Sequence, residues 1–562
     1  MHSLTVSTHP SRPFLPPDNY ESTFYGAFSA NHALQAASYL GPVLAWQAPA
    51  RALAAAFAVK WNLSGVCSPE ALLFACHLAP GGFSSWDQSV YMLWNGHFAV
   101  LPAISRVEYT LDADFARDSL YPLLDGLNRL WACALNKSAT GLPPPHDYAY
   151  HDTRGDEEHE KSLNPDPQIA LALARRTISA QLAIATRLGI APPADLVDIL
   201  GHLADFNTDA GCLTVNKWPC GHYNWTSPNG TSYSLSVWTA YGGAPIHSKY
   251  HRRRLARINR DPHDAPTPPH THTHTHTHTP PPPPPSPYNT RLSDSDSFSL
   301  YPLWPAEAFG DGDGPLNDAT AALAQASARA YAKLVGGRPV DVFASAVLAG
   351  QGFAFDASQR PGGSVVRAGG AARTAPAYAF APLETLEGLL GQMASPCPPC
   401  CPCGPGGRLF GANALLYTDG GGVENVGVAR AVDEMLVTAV GGPGGAVQIF
   451  PFWPQTLPAS FRGLLVKGGL AVSAEYNNAT RSVVSPMTIR AQYTWMGAPA
   501  TTARLVDPWG VGPSGGVTAT CAGASVPVAW DAAGAVLSFA APIGIDCAVS
   551  VATGGGGASG AS

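Results

Sequence analysis

Charge is what this sequence has least of. Lys, Arg, Asp and Glu together make up 13% of 562 residues, about half the usual share. With a net charge of −7 and a pI near 6.2, the chain carries no basic field, so nucleic acid is not an expected partner. It contains no run of about 18 apolar residues, which excludes a membrane-spanning helix from the expected elements. The opening residues, MHSLTVSTHPSRPFLPPDNY, hold no charged region followed by an apolar core, so no signal peptide is read there. The 11 Cys are odd in number and crowd in part into CPPCCPC, so no regular disulfide framework is legible. No cofactor is expected.

What is present suits a large folded protein. Apolar residues make up 46%, enough for a core spread over two or three domains. Gly (57) and Pro (53) are abundant, and much of the excess lies in two low-complexity tracts, at about 245–290 and 395–407. The first holds PPHTHTHTHTHTPPPPPPSP. Its His-Thr alternation could bind metal, but it reads first as a disordered insertion. In the second, the doubled Cys and the Pro of CPPCCPC do not suit a tetrahedral zinc knuckle, and no metal site is expected. Five Asn-x-Ser/Thr sequons, at Asn62, Asn136, Asn224, Asn229 and Asn478, suit a secretory glycoprotein.

The best-patterned stretch runs from Trp86 to Lys137 and reads as two helices joined by a short turn. In the second, Leu120, Leu123, Leu124, Leu127, Leu130 and Trp131 recur at three- and four-residue steps, the spacing of one helical face. The first carries Leu93, Trp94, His97, Val100, Leu101 and Ile104 in the same way. Asp112 and Asp114 offer caps between them. Further helices are expected at 31–59 (broken by Pro42), from Ser68 to His77, at 167–188, 193–206, 317–335, 340–349, 383–393 and 426–440. After Gly441 the texture changes to short strands with turns, such as AVQIFPFWP and FRGLLVKGGLAVSAEYN. The expected fold is mainly α, an (α/α)6 toroid of helical hairpins, followed by a small C-terminal β-sandwich-like domain. The expected boundaries are a flexible N-terminus at 1–18, the barrel at 19–440, the β domain at 441–555 and a flexible tail at 556–562.

Trp86, Asp87, Trp94, Asn95 and His97 cluster where the hairpin would open into a funnel. A flat apolar ring beside directional donors and acceptors is what a sugar needs; read singly, each is equally a satisfied core residue. Asp152, Asp156, Glu157, Glu158 and Glu160 crowd a long polar connection, which read alone is a solvated loop. Asp419, Glu424 and Asn425 lie in a Gly-rich turn, TDGGGVENVG, where the backbone can pass close to a ligand. Two carboxyl regions brought to one rim would form an acid/base pair for glycoside hydrolysis.

Several ordered blocks carry a family resemblance: NYESTFYGAFSANH, YMLWNGHFAVLPAISRVEYT with YPLLDGLNRLWACAL, NPDPQIALALARRT, SDSFSLYPLWPAEA, and GGGVENVGVARAVDEML through IFPFWPQTLPASFRGLLVKGGLAVSAEY. In this order they resemble the glycoside hydrolase family 95 α-L-fucosidases, in particular their divergent eukaryotic and algal relatives, over most of residues 19–500. The resemblance implies an inverting hydrolase of terminal α-L-fucosyl or α-L-galactosyl residues, with a carbohydrate as partner. It implies Glu158 or Glu157 as general acid. It implies Asn19, with Glu424, as the group that activates water, and Trp94, Asn95 and Asn425 as binding residues. Pro17 stands where the family has the first Asn of its Asn-x-Asn pair, and SDSFS stands where the family has a His-rich segment. The chain begins almost at the first barrel motif, so the family's N-terminal β-sandwich is not expected. The alternative expectation is a carbohydrate-binding relative that has lost turnover.

Overall fold

The structure is a computed structural model. It describes residues 24–60, 63–75, 77–79, 82–84, 93–137, 148–149, 151–152, 164–165, 168–203, 223–226, 232–235, 306–308, 428–440, 442–453, 456–531 and 535–551. The described residues divide between a helical part and a C-terminal part built from sheets.

The helical part contains α1 (Ala33–Ala45), α2 (Gln47–Lys60), α3 (Asn95–Ala99), α4 (Leu101–Thr110), α5 (Tyr121–Ala134), α6 (Gln168–Leu188) and α7 (Ala194–His202). The apolar stripe read in 120–134 is the buried face of α5: Leu123, Leu124, Leu127, Leu130 and Trp131 are all in the core. That face packs against α6. Between α4 and α5 the chain reverses at Leu111, whose φ is 53°. Asp112 then caps the next helical turn, its side chain accepting from the Phe115 backbone N–H at 2.9 Å. Gly126 and Gly96 make room for side chains of neighbouring segments that press onto the helix backbone. A Cβ on Gly126 would lie 2.6 Å from Leu72, and one on Gly96 would lie 2.5 Å from Leu127. A disulfide, Cys67–Cys133, ties the segment before Leu72 to the end of α5.

The C-terminal part begins after α8 (Val428–Leu436). Its strands are β1 (Val437–Val440), β2 (Ala446–Ile449), β3 (Ala459–Val466), β4 (Leu470–Asn477), β5 (Ser482–Val483), β6 (Met487–Ala491), β7 (Ala500–Val506), β8 (Val517–Cys521), β9 (Ala524–Val526), β10 (Ala529–Trp530), β11 (Val536–Pro542) and β12 (Asp546–Val551). One sheet has the order β10-β11-β7-β2-β1, with β2 and β7 parallel and the other pairs antiparallel. The other runs β3-β4-β6-β12-β8-β9, all antiparallel, with β5 added beside β4. Their alternate residues, among them Val447, Val472, Ile489, Leu505, Leu537 and Val549, share one core. A second disulfide, Cys521–Cys547, links directly opposed residues of β8 and β12.

Several expectations are corrected. The described residues are not mainly α and give no (α/α)6 toroid; among them helices are gathered at one end and two sheets fill the other. The physical reason is that a 3.6-residue period reports that a helix has a buried face, not which neighbours cover it or whether they close a ring. Segment 71–75 is not helical. Its residues are buried all round, and its backbone donates to other elements, Leu72 to Gly126 and Leu73 to Ala50. The helix expected at 426–440 stops at Leu436, because Val437-Thr438-Ala439-Val440 pairs with β2. Pro42 lies inside α1, and the break falls at Trp46. The helices expected at 317–335, 340–349 and 383–393 lie outside the described residues, as do both low-complexity tracts. Among the described residues no helix is long and apolar enough to cross a membrane, and no group of His, Cys, Asp and Glu could hold a metal ion.

Candidate functional site

The turn from Phe24 to Asn31 joins the two parts of the molecule. It is closed by its own backbone bonds, Ala30 N–H to Gly26 O and His32 N–H to Ala27 O, and Asn31 takes a left-handed φ of 63°. On one side it meets the sheets. Leu465 N–H donates to Ser29 O at 2.8 Å, and Asn31 exchanges amide bonds with Gln492 at 2.9 and 2.7 Å. On the other side it lies against α8. A Cβ on Gly26 would come within 3.2 Å of both Ala429 Cβ and Arg430 N, so the missing side chain suits this close approach of the two backbones. Ser29 Oγ donates to Asp433 Oδ2 at 2.6 Å.

Asp433 is the described carboxyl best suited to exchanging a proton near neutrality. Burial raises its pKa from 3.8 to about 6, against the opposing pull of the Ser29 hydroxyl and the Arg430 charge. The folded state therefore holds this proton more tightly than the unfolded chain. The group's contribution to stability is full below about pH 3.8 and is lost as the pH rises through about 6. A rise of two units corresponds to about 3 kcal/mol. Asp433→Asn, which keeps an acceptor for Ser29, is expected to be more stable than the parent at pH 7, with the difference shrinking toward pH 4. Urea melts of both proteins across that range check this; a constant difference would remove the assigned cause.

On the same helix, Arg430 and Glu434 enter a largely buried cluster of six charges. Arg430 binds Glu434 at 2.7 Å and Glu307 at 3.2 Å. Lys467 binds Glu307 and, at 3.1 Å, Glu108; Arg176 binds Glu108 at 2.8 Å. Tyr109 donates to Glu434 at 3.3 Å, and the Arg430 guanidinium lies 5.1 Å from the Tyr109 ring centre. Three acids face three bases, so the cluster is neutral as a whole. Burial alone would raise the Glu108 pKa, but Arg176 and Lys467 outweigh it and hold the carboxyl at about 2. Glu307 is likewise lowered, by Lys467 and Arg430 against burial. These carboxylates stay ionised at neutral pH and can donate no proton there. The cavity beside them, lined by Tyr109, Glu307, Glu434, Thr438 and Lys467, encloses about 20 Å³. That is room for about one water molecule and not for a sugar ring. The cluster is an interior clamp that joins α4, α6, residue 307, α8 and the end of β3.

Of the residues singled out from sequence, Asp152 falls in a two-residue strand, His151–Asp152, and Trp94, Asn95 and His97 are interior. Trp94 (5% exposed), Asn95 (3%) and His97 (0%) sit at the start of α3, against segment 71–75 and α5. Asn95 Nδ2 donates to Phe74 O at 3.4 Å. The two His97 ring nitrogens face Leu93 O at 3.1 Å and Leu127 O at 3.0 Å, and the ring lies 4.6 Å from that of Trp131. Burial lowers the His97 pKa to about 3, more than the two carbonyl contacts raise it, so the ring is neutral. In this arrangement the three are packing and hydrogen-bonding groups. Trp86, Asp87, Asn19, Glu157, Glu158, Glu424 and Asn425 lie outside the described residues, as does Asp419.

Sequence reading missed Ser29, Asp433 and the six-charge cluster. A signal was available: in a chain so poor in charge, Arg176 interrupts the apolar run IALALARRTISA, and Arg430 and Glu434 stand four apart on one short helix.

No protein-family model matches the sequence, and no curated protein matches it.

Proposed function

We propose that the chain is an inverting glycoside hydrolase that removes terminal α-L-fucosyl or α-L-galactosyl residues. One observation supports this reading beyond the sequence blocks. The resemblance assigns water activation to Asn19 and Glu424, which are 405 positions apart in the chain. The described segments nearest to them meet. The turn that begins at Phe24, five residues after Asn19, lies in van der Waals contact with α8, which begins at Val428, four residues after Glu424. Asp433, with a pKa of about 6, sits at the same junction. In the proposed reaction Glu158 protonates the leaving oxygen, while Asn19 and Glu424 hold and deprotonate the attacking water. Inversion requires the acid and base carboxyls to stand about 6.5–9.5 Å apart.

The experiment is release of fucose or galactose from aryl and oligosaccharide α-glycosides. Glu158→Gln is expected to lower turnover of oligosaccharide about 10²–10⁴-fold, the usual share of a general acid. Turnover that survives both Glu157→Gln and Glu158→Gln would remove the acid assignment. A second reading, binding without turnover, is favoured by Pro17, whose side chain can neither donate nor accept a hydrogen bond where the family has an Asn. Saturable binding with no product over long incubation would select it.

A further inference from the structure

We propose that Asn478 is an N-glycosylation acceptor, modified while the chain folds in an oxidising secretory compartment. The proposal does not depend on the hydrolase reading. Asn478-Ala479-Thr480 is a sequon, and the fold places it in the turn between β4 and β5, where such sites are accessible. Ala479 and Thr480 are exposed, and Asn478 is half-buried. The turn is built by Asn477, whose Oδ1 accepts from the backbone N–H groups of Ala479 at 2.9 Å and Thr480 at 3.2 Å. Asn477 therefore holds the backbone, which leaves the Asn478 amide out of the turn's own bonding. The Thr480 hydroxyl lies at the surface, 2.8 Å from the Ser482 hydroxyl.

The acceptor nitrogen is suitably engaged. Asn478 Nδ2 donates one hydrogen to Thr456 O at 3.0 Å. A primary amide carries two, so replacing the other by a sugar leaves that bond in place, and it would orient the first sugar unit. The transfer uses an oligosaccharide linked through its anomeric carbon to a polyprenyl diphosphate. A bond forms between Asn478 Nδ2 and that carbon, the carbon–oxygen bond to the diphosphate breaks, the polyprenyl diphosphate leaves with the electron pair, and one amide proton passes to base.

An independent observation points to the same compartment. Among the described residues two disulfides close, Cys67–Cys133 and Cys521–Cys547, one in each part of the molecule. Structural disulfides persist in oxidising compartments and are rare where glutathione keeps thiols reduced. The second lies in the same sheet as the sequon turn. Of the other sequons, Asn136 and Asn224 fall within short strands, and Asn62 and Asn229 lie outside the described residues.

The test is secretion of the full chain, behind a cleavable leader, from a glycosylating eukaryotic host. Glycans are then removed enzymatically in heavy-oxygen water, so that each occupied Asn becomes an isotopically labelled Asp in the peptide map. Label at position 478 is expected in the parent and in Thr480→Ser, with loss of that label in Thr480→Ala while both disulfides still appear in the non-reduced map. Secreted, disulfide-bonded protein with an unlabelled Asn478 would overturn the proposal, as would label that survives Thr480→Ala.

Discussion

Replacing Arg430 by leucine is expected to destabilise the protein by about 3–5 kcal/mol, the usual consequence of removing one partner from a buried ion pair. Arg430 is 2% exposed and is the cation for both Glu434 and Glu307. Without it, Glu307 keeps Lys467, whereas Glu434 loses the guanidinium it binds at 2.7 Å. The loss therefore comes chiefly from burying a carboxylate without that cation, not from the energy of the original pair. The double variant Arg430→Leu/Glu434→Leu separates these two causes: it should recover much of the loss, because replacing a buried pair by apolar groups is often close to neutral. Arg51 with Glu70 is the control, a pair whose side chains are 45% and 61% exposed. Breaking it should change stability by less than about 1 kcal/mol. Urea unfolding of the four proteins decides the matter. A single Arg430 variant within about 1 kcal/mol of the parent would show that water reaches the cluster.

The second large effect is expected at Cys67–Cys133. The bond spans 66 residues, and in the chain-entropy view closing a loop of that length stabilises the fold by about 4 kcal/mol. Cys67→Ala/Cys133→Ala should lower the melting midpoint strongly, and the parent should fall by at least as much when reduced, since reduction also opens Cys521–Cys547. Cys521–Cys547 closes only 26 residues and bridges strands that already pair, so its removal should matter less. Equal melting of parent and Cys67→Ala/Cys133→Ala would mean that the unfolded chain is already compact in this region.

Local pattern is a good guide where one element's own chemistry decides its shape. The stripe from Leu123 to Trp131 is a buried helix face, Gly189 with φ of 70° ends α6, and Asp112 caps the turn that its position between two apolar stripes predicts. Pattern fails where partners decide. Leu72 and Leu73 have apolar content that suits a helix, but their N–H groups are taken by Gly126 and Ala50. Val437 to Val440 extend a helical period, but β2 captures them. The toroid is an inference about assembly, and a helical period carries no information about assembly. The candidate site shows the same division. Trp94, Asn95 and His97 stand out for their chemistry, and the fold uses that chemistry inside the core. Ser29 and Asp433 pass unnoticed in sequence because nothing local links residues 404 positions apart.

That separation also sets an order of events during synthesis. At about 5–20 residues per second, a ribosome that has made Ser29 needs roughly 20–80 s more to reach Asp433. Lys467, the shared cation of Glu108 and Glu307, emerges later still. Until then Glu108 and Arg176 can pair with each other, but the face of α1 and α4 that waits for the sheets stays open to water. The helical part must therefore survive as an unfinished surface for most of the time the chain is being made. The last quarter of the sequence acts as the closing piece, and a chain cut short before residue 428 would be left without its clamp.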